Sequence, residues 1–122
     1  MQNKKKGFTL VEIMIVVSII AILLAISAPN FFKSRQNGRL QAIVANLRQI
    51  ETAKDACAIT NGATIGDTTL CTQSKLIHPS QGFLKKWPAG PITGTYRVNA
   101  VGTQPTLNSK TAAQWKAAPG TL

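Results

Sequence analysis

The chain has 122 residues, with fourteen Lys and Arg against four acids, Glu12, Glu51, Asp55 and Asp67, for a net charge of +10. At this size one domain is the expectation, and a large enclosed active site has little room. With 44% hydrophobic and only 15% charged residues, the chain is neither a disordered polar tail nor a highly charged soluble domain, and chemistry built on paired carboxylates is left almost without groups.

The first predicted element is apolar. Behind Lys4, Lys5, Lys6 and Gly7, the 21 residues from Phe8 to Ala28 carry a single carboxylate, Glu12. As a helix they cover roughly 31 Å, the thickness of a bilayer's hydrocarbon core. An ordinary secretory signal is shorter and is cut after the apolar run; Ile26-Ser27-Ala28 fits such a cut weakly, and Pro29 would follow it directly. A plain anchor explains the length and the lysines but not Glu12. A carboxylate in a spanning helix costs on the order of 2.5–3.5 kcal/mol, so it has a partner, a function or a place near the headgroups. Lys4 to Lys6 favour a cytoplasmic N-terminus, although Lys33, Arg35 and Arg39 flank the other end at similar density.

Lys6-Gly7, then Phe8-Thr9-Leu10-Val11-Glu12, the aliphatic run behind them and Pro29 together resemble the class III signal of type IV pilins and type II secretion pseudopilins. The resemblance implies a prepilin peptidase that cuts between Gly7 and Phe8 and methylates the new Phe8 amine. It also implies a cytoplasmic N-terminus with everything after Pro29 outside, and a homo-oligomeric helical filament raised by an inner-membrane platform with a cytoplasmic ATPase. In that filament Glu12 of one subunit meets the Phe8 amine of a neighbour and sets the axial register. Two desolvated ions paired in this way specify alignment more than they add stability.

Past Pro29 the pattern turns amphipathic. Leu40, Ile43, Val44, Leu47, Ile50, Ala53 and Cys57 recur at three- and four-residue steps, with Arg39, Arg48, Glu51 and Asp55 mostly off the stripe. One helix from about Phe8 to Ile59 is predicted, roughly 78 Å long. Pro29 and Gly38 mark a bend or local melting, and Asn61-Gly62 a stop. Asp67 is placed to cap a short helical turn over Thr68 to Ile77, ended by the cluster from His78 to Gly82. Trp87-Pro88-Ala89-Gly90-Pro91 is turn-rich. The alternating Thr95 to Ala100, the loop Gly102-Thr103-Gln104-Pro105 and Thr106-Leu107 read as a hairpin. Phe83, Leu84, Trp87, Tyr96, Val98, Val101 and Leu107 are its core candidates.

Thirteen residues separate Cys57 from Cys71. Either the two pair, which suits an oxidising compartment, or Cys57 is a small buried side chain on the stripe. Two cysteines and His78 are too few for a zinc site, His78 has no nucleophile beside it, and no phosphate-binding loop is present. Major pseudopilins often bind calcium in a C-terminal loop, but Asp67 is the only carboxylate after Ile59, so no metal and no cofactor are expected. From Pro29 onward eleven Lys and Arg face three acids, a net +8. Lys85-Lys86-Trp87 could contact a polyanion such as nucleic acid; the favoured reading is a solvated surface with Trp87 in the core.

The expectation is an α+β, pilin-like fold: a long N-terminal helix, transmembrane and then amphipathic, with a small antiparallel sheet. Residues 1–7 would be the leader, 8–28 the membrane and filament-core segment, 29–60 the amphipathic half, and 61–122 the small globular region. The implied function is that of a non-enzymatic structural subunit of a pilus-like filament. The alternatives are a major pseudopilin of type II secretion and a DNA-uptake pilus subunit.

Overall fold

The computed structural model describes residues 7–80 and 82–117. The leader lysines Lys4 to Lys6 lie outside the described residues. Five elements follow one another: α1 (Leu10–Asn61), α2 (Gln73–Leu76), β1 (Tyr96–Arg97), β2 (Thr106–Leu107) and α3 (Ala112–Ala117). The chain forms two compact units, residues 1–35 and 36–122.

The first unit is the apolar part of α1. Its large side chains from Phe8 to Phe32 are each 50–81% exposed, and α1 is the one helix among the described residues long and apolar enough to cross a membrane. Two of its hydroxyls are satisfied locally: Ser18 Oγ donates to Met14 O at 2.7 Å and Ser27 Oγ to Leu23 O at 2.8 Å, bonds that suit a helix in apolar surroundings. Of the bend or local melting expected at Pro29, the melting is not found, because α1 runs unbroken from Leu10 to Asn61. A proline forfeits one ladder bond, and the turns on either side of Pro29 keep theirs.

In the second unit the amphipathic stripe does what its spacing predicts. Leu40, Ile43, Leu47 and Ile50 meet Tyr96, Leu107 and Trp115 in one buried cluster, and Ala53 and Cys57 meet Cys71, Leu76, Leu84 and Val101 in a second. Trp87 and Val98, half-buried, pack against both. The helix stops at Asn61-Gly62 because Gly62 takes φ 65° and lets Ala63 N–H reach Ala58 O at 2.9 Å, the terminal wrap that glycine favours.

A disulfide joins Cys57 to Cys71 and clips the end of α1 to the loop after it. Closing a loop of this size stabilises by about 3 kcal/mol on the chain-entropy argument. Reduction of the folded chain, followed by thermal unfolding in detergent, should therefore lower the midpoint by roughly 12 °C or more. An unchanged midpoint would mean that the clip adds nothing.

Two elements differ from expectation. The short helix covers only Gln73–Leu76, with Thr72 at its N-cap position, because the Asp67 carboxylate is used elsewhere. Its Oδ1 accepts from Thr69 N–H at 2.6 Å, Thr69 Oγ1–H at 2.8 Å and Leu70 N–H at 3.2 Å, an Asx-type turn. Those bonds, the Thr69 N–H first, hold the Asp67 carboxyl below the usual 3.8. A depressed carboxyl stabilises the fold above its unfolded value, and that contribution is lost as pH falls through the folded value. Wild type should thus lose stability below about pH 4, and Asp67→Asn should flatten that arm of the pH profile.

The second difference is in the sheet. Tyr96 pairs with Leu107 and Arg97 with Thr106, antiparallel, and the ladder ends there. Asn99 sits at φ 58°, and the Val98 and Ala100 carbonyls face a side chain instead of a strand. The helix α3 lies beyond the predicted hairpin. It buries Trp115, whose indole N–H donates to Leu107 O at 3.2 Å, with the Lys110 ammonium 4.9 Å from its ring centre.

Candidate assembly site

The residues around the expected cut form a helix start. Thr9 precedes the first residue of α1, and Glu12 lies in its first turn. Glu12 Oε2 accepts from Thr9 N–H at 3.2 Å and from Thr9 Oγ1–H at 3.3 Å, while Glu12 N–H donates to Thr9 Oγ1 at 3.3 Å. This is the reciprocal capping box of a Thr-x-x-Glu sequence: two otherwise orphaned backbone donors are satisfied. The carboxylate also lies at the positive end of the helix dipole. Its consequence is directional. The Glu12 side chain folds back along the helix toward Thr9 and so toward the bond between Gly7 and Phe8. Phe8 itself is 81% exposed, and among the described residues a Cβ built on Gly7 would meet nothing within 4 Å. Gly7 and Phe8 lie just before α1 and Glu12 in its first turn, bonded to Thr9 between them, whereas Pro29 lies far along α1.

Sequence reasoning took Glu12 as a group waiting for a neighbour and missed its local bonds; Thr9 three residues before it was the available signal. The other singled-out residues sit in the second unit. Lys85 and Lys86 are exposed. Trp87 between them and the turn-rich segment spends its ring on both buried clusters. His78 is exposed, its Nδ1 accepting from Ser80 N–H at 3.3 Å.

One residue of the second unit went unnoticed. Lys54 is 1% exposed, and its ammonium donates to Ala100 O at 3.2 Å, to Thr103 O, and at 3.5 Å to Val98 O. Burial lowers its pKa, and the nearby Asp55 and Glu51 charges pull it partly back. Nearby, burial also raises the Tyr96 hydroxyl above its usual value, against the opposing donation from Asn46 Nδ2 at 3.0 Å.

A capped apolar helix led by Gly-Phe-Thr-Leu-Val-Glu, together with a small α+β unit later in the chain, defines a pilin-like protein. Residues 2–28 match the family described as the prokaryotic N-terminal methylation motif. The type IV major fimbrial protein FimA of Dichelobacter nodosus is 30% identical over 98% of this chain and 85% of its own length. The type II secretion system core protein G of Klebsiella michiganensis is 26% identical over 98% of this chain and 90% of its own. The type IV major pilin protein PilA of Myxococcus xanthus is 45% identical over 42% of this chain and 23% of its own. No solved structure matches the chain significantly. The chain belongs to the family of type IV pilins and type II secretion major pseudopilins, structural subunits of pilus-like filaments.

Proposed function

We propose that this filament subunit is made with a leader, residues 1–7, that a prepilin peptidase removes between Gly7 and Phe8 before methylating the Phe8 amine. Residues 8–28 then anchor the subunit in the inner membrane, N-terminus cytoplasmic, and later enter the filament core. Residues 29–60 carry the small lobe 61–122. An inner-membrane platform with a cytoplasmic ATPase draws subunits out, and Glu12 registers each one on a neighbour's Phe8 amine. The chain performs no catalysis of its own. The observation that carries this reading is the capping box, which turns a carboxylate toward the new N-terminus. Freed of Gly7, the Phe8 amine is cationic in apolar surroundings, and a carboxylate is the group that neutralises it.

A pseudopilus serving type II secretion is the second reading, favoured by the near full-length likeness to a core protein G. A nucleic-acid role draws less support, since the Trp87 ring is engaged in the core and leaves Lys85 and Lys86 as a solvated surface. Intact mass of the chain in mechanically sheared surface material and in membranes tests these readings. A species starting at methylated Phe8 in the sheared fraction supports a surface pilus. The same species confined to membranes supports a pseudopilus, and a chain still starting at Met1 in both fractions sinks the processing scheme.

A further inference from the structure

The buried face of α1 repeats at alternating three- and four-residue steps through Leu40, Ile43, Leu47, Ile50, Lys54 and Cys57. Five of those positions carry apolar or sulfur side chains. The sixth is a lysine 1% exposed, where a leucine would pack without the penalty of desolvating a charge. Each polar acceptor recorded for its ammonium is a main-chain carbonyl: Val98, Ala100 and Thr103. All three belong to the β1–β2 connection, at positions where the ladder has already ended. An ammonium has three donors and no acceptor capacity, and here three carbonyls converge on it.

The same connection is fastened from the other side. Gly66 N–H donates to Val101 O at 2.9 Å, and Val101 N–H donates to Asp67 O at 3.0 Å. Val101 is thereby delivered to the second buried cluster. Asn99 Nδ2 closes the connection on itself at Gln104 O, 2.8 Å away. Without the ammonium, Ala100 O would keep the Thr103 N–H at 3.0 Å, while the partly buried bonds to the Val98 and Thr103 carbonyls would lose their Lys54 donor, which costs more than a lost bond between exposed groups.

We propose that the Val98, Ala100 and Thr103 carbonyls form a cation site for a primary ammonium, that the protein fills it with its own Lys54, and that this occupancy holds the β1–β2 connection on α1. The ligand class is narrow: a cation with N–H donors at the end of an aliphatic stem. A spherical quaternary cation carries the charge without the donors, and a neutral alcohol carries a donor without the charge.

The test is amide hydrogen exchange on the full chain in detergent micelles. Lys54→Met keeps the stem and removes the ammonium; exchange in residues 98–103 should accelerate at least about tenfold, with the cluster built on Leu40, Ile43 and Leu47 little changed. Lys54→Ala opens the cage as well, and n-propylammonium should slow the same amides again, while tetramethylammonium and n-propanol should not. Wild-type exchange in Lys54→Met overturns the proposal. So does uniform acceleration with no excess at 98–103, which would assign Lys54 to bulk packing. If Lys54→Ala folds, equal rescue by tetramethylammonium or none by propylammonium also overturns it; if it does not fold, Lys54→Met decides.

Discussion

Replacing Glu12 with Val should leave the chain inserted and processed at Phe8 but reduce filament recovered by shearing at least about a hundredfold. The reasoning runs from solvation. A free amine at Phe8 surrounded by apolar side chains needs a counter-charge, and removing one member of a desolvated pair leaves the other uncompensated at about 3–5 kcal/mol. Three kcal/mol per added subunit is already roughly a hundredfold in its addition constant. Glu12 also caps its own helix through Thr9, so the loss could come from a frayed first turn. Glu12→Gln separates the two, because an amide serves the capping box as well as a carboxylate but carries no charge. Poor assembly of both variants identifies the charge; a Gln variant that assembles like wild type would identify the cap and falsify the register model.

Trp115→Ala should cost about 3–5 kcal/mol in thermal unfolding of the full chain in detergent, a fall of roughly 12 °C or more for a unit of this size. Trp115 is 3% exposed and is the only buried residue of α3, so truncation removes both the cavity filler and the reason for that helix to dock. Trp115→Phe should cost about 1 kcal/mol. It deletes the indole donor to Leu107 O, yet that carbonyl still receives Lys110 N–H at 3.0 Å. A tolerated alanine would show that the small lobe does not depend on α3.

The readable parts of this fold are those where one residue type forces one geometry. Asn61-Gly62 marked the end of α1 because a left-handed turn there suits glycine, and the stripe from Leu40 to Cys57 announced the face that packs. The strands were read too long because alternation cannot show that Asn99 turns left-handed or that carbonyls at Val98 and Ala100 are claimed by a lysine forty-odd residues earlier. Nothing in its charge separates that lysine from a solvated neighbour of Glu51 and Asp55, although continuing the three-four rhythm from Ile50 lands on it as well as on Ala53. The starts of α1 and α3 carry a legible signal. Thr9-Leu-Val-Glu12 and Thr111-Ala-Ala-Gln114 are capping boxes, and in the second Thr111 N–H donates to Gln114 Oε1 at 2.8 Å. At the N-terminus Glu12 stood out as the single carboxylate of an apolar run, and Gly7 and Phe8 through the resemblance to the pilin signal, while the bonds that aim Glu12 depend on a rotamer that spacing does not give.

The sixteen large apolar side chains that stand half or more exposed between Phe8 and Phe32 bear on which way a filament runs. When such a segment leaves lipid for the middle of a bundle it exchanges hydrocarbon for hydrocarbon, and no large hydrophobic gain accompanies the move. A polymer made this way rests near balance with its membrane reservoir. Under the proposed scheme, growth would draw on work from outside the subunit, and return of the same segment to lipid would cost little.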